Sequence, residues 1–273
     1  MENFWILFLC FTVYSFLGWF VESIFCSIPA GKLINRGFLN GPFCPIYGVG
    51  GVALIFVLTP FKDNLAILYI AGVVMTSALE YLTGLALESI FHTKYWDYSH
   101  HRYNIQGRVC LQNSLLFGVM GVVGILFVHP LLIQTLHKIP SAALPYIASG
   151  FILYFLCDAT LTVFTVLHLN GTLGEIQQII DEFREKASDL KAEKFENIQA
   201  AIGELIDEDR KAVYLKTLSE LYEKMDKMEK EIKFFQRRVI QAFPTMKSVR
   251  NNESLQRVKG AIQEKTKYIK RHK

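Results

Sequence analysis

Five apolar stretches, each long enough to cross a bilayer, constrain what this chain can fold into. They run over about 4–28, 43–60, 65–91, 112–136 and 145–169. A hydrocarbon core of about 30 Å takes about 20 mostly apolar residues as helix, and inside it a backbone must satisfy its own hydrogen bonds. The pattern predicts an all-α fold, a polytopic bundle of five transmembrane helices. The second stretch is the weakest. It opens GPFCPIYGVGG, with Pro42, Pro45, Gly48, Gly50 and Gly51 in its first turns. Such a start suits an unwound or re-entrant segment, tolerable where protein or a water-filled cavity surrounds it.

Charge divides the chain. Residues 1–169 hold 7 Lys/Arg and 7 Asp/Glu, and residues 170–273 hold 22 and 18, so the net charge of +4 lies entirely in the second part. This predicts a transmembrane domain over 1–170 and a cytoplasmic helical tail over 171–273. With five spans, one side carries Lys62 and Lys138, and the other carries Lys32, Arg36, Lys94, Arg102, Arg108 and the tail. The positive-inside rule then puts the N-terminus outside and the tail in the cytoplasm, in an inner (plasma) membrane. The opening MENFWILFLCFTVYSFLGWF has no basic n-region and no small-x-small cleavage site, so a retained membrane helix is expected. Five scattered cysteines without C-x-x-C indicate neither a disulfide framework nor a zinc ribbon.

Periodicity gives the tail its structure. Tyr214, Leu218, Leu221, Met225, Met228, Ile232, Phe235 and Val239 alternate at 4 and 3, a heptad seam over 214–239. Ile176, Ile180, Phe183, Ala187 and Leu190 repeat the spacing, and Phe195, Ile198, Ile202 and Leu205 form another stripe. A helical hairpin packed on itself, or a coiled coil with a second copy or a helical partner, would bury these faces. Pro244 ends the seam, and the basic end 247–273 carries +7, suited either to anionic lipid head groups or to a solvated terminus.

Charges inside the apolar runs carry the functional signal. They are Glu22 in span 1, Glu80 and Glu88 in span 3, and Asp158 in span 5. A carboxylate in the bilayer costs a few kcal/mol, so it should face the bundle interior and find a partner. Glu80 and Asp158 sit about eleven residues from the inner ends of their helices, about 16 Å deep at 1.5 Å per residue; Glu22 lies about 9 Å and Glu88 about 5 Å deep. Arg36 and Arg108 occupy the two loops that meet these ends. One reading is an acid-lined cavity open to the cytoplasm, with the arginines pairing acids at its mouth. The other is a set of buried ion pairs that only fixes helix packing.

Two loops add a resemblance. NRGFLNGPFCPIYGVGG (35–51) and EYLTGLALESIFHTKYWDYSHHRYNIQGRVCLQNSLLFG (80–118) resemble the bacterial family of ABC-transporter type IV, CmpB-like permeases, over roughly residues 1–170. The family's recurrent positions fall here on Gly37, Gly41, Pro42, Pro45, Tyr47, Gly48, Glu80, Glu88, Trp96, Asp97, Tyr98, Asn104, Gly107, Arg108, Ser114 and Gly118. Phe117 stands where Trp is expected. The resemblance implies a permease-like transport component for an unidentified solute. The chain has no G-x-x-x-x-G-K-[ST], so a separate ATPase subunit, further copies of the chain, or both would complete it.

Other chemistries are weaker. His100 and His101 are adjacent, and Glu88 and His92 at i,i+4 stand without an H-x-x-x-H partner, so no metal site and no cofactor is expected. No nucleophile elbow occurs, and no specific nucleic acid is expected as a partner. Tyr95, Trp96, Tyr98 and Tyr103 suit the head-group level. A membrane scaffold or regulator recruiting a cytoplasmic partner through the tail is the first alternative. A lipid-modifying enzyme using Asp97, His100 and the arginines Arg36, Arg102 and Arg108 is the second.

Overall fold

The computed structural model describes residues 3–188 and 208–271. Helix α1 (Phe4–Ala30) starts where the Asn3 side chain accepts the Trp5 amide, and it ends at Gly31 in the left-handed conformation. Helix α2 (Pro45–Leu58) begins with proline at its first position, where the missing amide costs nothing, and runs into a 3₁₀ turn, Thr59–Phe61. Helix α3 (Leu65–Phe91) is capped by Asn64 and stops at His92, φ 50°. An antiparallel ladder pairs Asn104 with Cys110 and Ile105 with Val109. Helix α4 (Leu111–Val123) continues through a π segment (Gly124–Val128) into α5 (His129–Leu136). Pro130 explains the π register: its ring would clash with the carbonyl four residues back, and the extra residue per turn relieves that. Then follow α6 (Leu144–Ser188), α7 (Glu208–Glu231), α8 (Phe234–Ala242) and α9 (Asn252–Arg271).

Four of these rods are long and apolar enough to cross a membrane: Phe4–Ile28, Leu65–Phe91, Leu111–Leu136 and Leu144–Glu182. The second predicted span is a shorter apolar helix, Pro45–Phe61. Its glycines sit within regular helix. A Cβ on Gly48 would lie 2.2 Å from Ser15 Oγ, and Gly51 and Gly18 are crowded in the same way by Tyr14 and Tyr47. Small residues here let α1 and α2 approach closely, the usual membrane packing device. At the opposite end from the long loops, Leu9, Cys10 and Tyr14 of α1 form a buried cluster with Leu136 of α5 and Leu144 and Ala148 of α6. Leu54, Leu58, Leu68 and Ile125 form a second cluster, between α2, α3 and the π segment.

By contacts the chain divides into two units, Met1–Thr165 with Arg238–Lys247, and Val166–Arg237 with Ser248–Lys273. A ten-residue piece of the expected tail thus belongs to the membrane unit. In the second unit, Leu169, Leu173 and Ile176 of α6 are almost fully buried. Gln236 bridges His168 Nδ1 (2.9 Å) and the Lys233 amide (2.7 Å). Gln177 accepts from the Ser254 amide, and Arg184 forks both oxygens of Glu253 at 2.8 Å. The heptad seam is split by the break at Ile232 and Lys233. Met225, Ile232 and Val239 are buried, whereas Phe235 is half exposed. Residues 195–205 of the second stripe lie outside the described residues, as do the side chains of Tyr214, Leu218, Phe183, Ala187 and Leu190.

Candidate functional site

Two loops build one end of the membrane unit. The first, residues 31–44, is tied to α1 by backbone amides: Ile34 donates to Ser27 Oγ, Arg36 to Ser23 Oγ, and Cys44 to the Ser15 carbonyl. Asp158 secures its far side. Its two carboxylate oxygens accept the Asn40 amide (3.0 Å) and the Gly41 amide (2.8 Å), and Thr162 donates to it as well. Glycine at 41 lets Tyr154 pack against the loop, because a Cβ would sit 1.7 Å from the Tyr154 hydroxyl. Gly37 takes φ 130°, Pro42 is half-buried, and Pro45 opens α2.

The second loop is folded by short-range side-chain bonds. Asn104 accepts the Gly107 amide at 2.9 Å and donates to the His101 carbonyl at 2.8 Å. Gly107 needs its positive φ of 70°, and a Cβ there would press to 2.5 Å from Asp97 Oδ1. Trp96 Nε1 donates to the Arg108 carbonyl (2.8 Å), which turns the indole inward. Ser114, buried at the start of α4, accepts from Ser77 Oγ of α3. Gly118 lets these two helices touch, since a Cβ there would lie 2.4 Å from Val73.

Between the loops and α1–α4 lies a cavity of about 560 Å³. Its wall is apolar and aromatic, with contributions from Tyr47, Trp96, Tyr98, Phe117 and the π segment. Among the described residues that line it, the ionisable acids are Glu22 and Glu80 and the one base is Arg36. Arg36 Nε bonds Glu22 Oε1 at 2.9 Å. Burial works against the guanidinium charge, but Glu22 beside it outweighs burial and holds the Arg36 pKa above its ordinary value. Glu80 is 6% exposed, accepts from the Tyr98 hydroxyl, and keeps Oε2 buried without a partner. Burial, then the neighbouring carboxyl groups of Glu80 and Glu22, push the Tyr98 hydroxyl well above the usual phenol range, so it stays a donor.

The predicted acids therefore separate. Glu22 and Glu80 share the cavity with Arg36. Glu88 lies beside it, bonded to Arg108 Nη2 at 2.7 Å with Lys94 at 3.9 Å. Asp158 does not line the cavity: it anchors the first loop, its carboxylate held by two backbone amides. Among the described residues no group of three His, Cys, Asp or Glu converges as a metal set. His101 instead packs edge-on against Tyr98.

Residues 238–247 complete the site, and the sequence reading missed them. Arg238 donates to Gly37 O (2.6 Å) and Asn40 Oδ1 (3.1 Å). Arg36 stacks over Phe243 at 4.7 Å and also donates to the Ala242 carbonyl. Phe243 lines the cavity and meets Tyr95 edge-on at 5.0 Å. Lys247 Nζ bonds Asp97 Oδ2 at 2.5 Å. Burial raises the Asp97 pKa, but Lys247 and the Ser99 hydroxyl and amide together hold it well below the usual carboxylate range. The available signal was the apolar cluster Val239, Ile240, Ala242, Phe243 and Met246, richer than a heptad seam requires.

No curated protein and no solved structure matches the chain. The sequence profile of the family described as "Putative ABC-transporter type IV" matches residues 9–163, more than half the chain, and the chain belongs to that family of transport-related membrane proteins.

Proposed function

We propose that this chain is the membrane component of a transporter and that the cavity between its two loops is where solute is held. The observation that carries the reading is a cavity of about 560 Å³ whose apolar wall carries Glu22 and Glu80, with one Glu80 oxygen buried and unpartnered. Groups of that kind are expensive in a membrane and are kept where they contact cargo. In this reading α2 is a fifth, short span, the N-terminus is outside, and the loops and the tail face the cytoplasm. Arg36 and Arg108 shape the mouth, and Asp158 keeps the first loop in place. A separate ATPase subunit supplies the energy, and a second copy of the chain completes the pathway. The test compares small-molecule content of cells producing the wild-type chain with cells producing Glu80→Gln at equal membrane level. A solute whose level changes with wild type and not with the variant identifies the cargo. Identical profiles in both would retire the reading.

A further inference from the structure

The wall of the cavity is specific enough to name a class of ligand, an inference that rests on the transport reading. Three features decide it. The unpartnered buried group is an acceptor, Glu80 Oε2, on a side chain more than nine-tenths buried. Its other bond, from Tyr98, fixes the carboxyl group on the wall. The one base on the wall, Arg36, is already engaged by Glu22, by the Ala242 carbonyl and by the Phe243 ring. An anion would find no free donor of matching charge. A bare metal ion would lack oxygens, since hard cations take six or more, and the wall is mostly carbon. An uncharged apolar occupant would leave the Glu80 oxygen buried and unpaired, at a cost of about 1–3 kcal/mol or more. Aromatic rings surround the remaining space: Tyr47 and Phe117 meet edge-on with centroids 6.2 Å apart, and Trp96 and Tyr98 come from the second loop. Aromatic rings and a carboxylate together attract positive charge spread over an apolar body. The volume falls within the range of sites for small organic molecules.

We propose that the cavity recognises an amphipathic organic cation, an ammonium or phosphonium bearing apolar substituents, held by Glu80 and by the rings of Tyr47, Trp96, Tyr98 and Phe117. The probes are tetraphenylphosphonium and tetraphenylborate, alike in size and shape and opposite in charge. Binding of each to the purified full chain in detergent is measured by equilibrium dialysis, with protein-free micelles as background. The cation is expected to bind saturably and the anion not to. Glu80→Gln should weaken the cation by about tenfold or more, the scale of a lost charge-assisted bond, and Glu80→Asp should retain more affinity than Glu80→Gln. Saturable binding of both ions, no saturable binding of the cation, or an unchanged affinity in Glu80→Gln would each overturn the proposal. The wild-type comparison stands even if a variant does not fold. ATP-dependent phosphonium flux in native membrane vesicles, which keep the chain together with its partner subunits, separates the two readings. Binding without flux upholds this site and counts against transport. A solute identified by profiling, together with no phosphonium binding, upholds transport and removes the cation site.

Discussion

Gly41 shows how far a single methyl group can reach in this molecule. Its amide feeds Asp158 and its Cα faces the Tyr154 hydroxyl, so a Cβ would displace Tyr154 or the first loop and disturb the hold of Asp158. Gly41→Ala should therefore lower the thermal stability of the detergent-solubilised chain by about 2 kcal/mol or more, in the range of overpacking a tight site. The control is Gly150→Ala, inside α6 where nothing crowds the added methyl, and it should leave the melting temperature unchanged or slightly raised. Arg36 permits a second measurement. Arg36→Gln leaves Glu22 without its cation and should cost about 1.5–3 kcal/mol, the worth of a charge-assisted bond. The double variant Glu22→Gln/Arg36→Gln should recover part of that loss; full additivity of the two changes would show that the pair does not interact. Sequence made these residues visible because a charge in an apolar run demands a partner. It did not reveal what kind of partner. Asp158 found backbone amides and Glu88 found Arg108 and Lys94, while Glu80 kept one oxygen free.

Among the elements, the long helices were legible because bilayer-length apolar runs leave few alternatives. Their ends were less so. The apolar run of the fifth span stops at about residue 169, yet α6 runs on to Ser188, because the stripe Leu169, Leu173 and Ile176 stays buried and overrides weak local propensity at Gly171. The glycines of α2 read as unwinding signals but serve close packing, a distinction that needs the neighbouring helix to be known. The segment 238–247 falls where the seam gives way to the basic end, and neither pattern marks it as part of the membrane unit. Its hold on the second loop should depend on pH through Asp97. The Asp97 pKa is depressed in the folded chain, so its pairing contributes stability above about pH 4, the unfolded value, and that stability is lost as pH falls through the folded value. The melting-temperature gap between wild type and Asp97→Asn should thus stay level from pH 7 to about 5 and close below about 4. A gap that widens on acidification would contradict the assigned pair.

For the whole molecule, the decisive fact is that chain order and structural unit differ. A cut after residue 170 would seem from the charge profile to remove only a polar tail, but it also removes Arg238, Phe243 and Lys247 from the membrane unit. Phe243 alone is buried to 5% exposure, and deleting a buried phenylalanine costs about 3–5 kcal/mol. At about 2–4 °C per kcal/mol for a unit of this size, a chain ending at residue 170 should melt about 10 °C or more below the full chain. Two further experiments separate the segment from the rest of the tail. A synthetic peptide covering 236–248 added to the truncated chain should restore part of the loss, and the same peptide with Arg238→Ala and Phe243→Ala should not. In the full chain, Phe243→Ala alone should reproduce much of the destabilisation with the tail intact. If the truncated chain melts with the full chain, the segment contributes no stability and its contacts with Arg36 and Asp97 are incidental. If the peptide rescues only when its side chains are present, residues 238–247 are a part of the membrane unit that the chain delivers last.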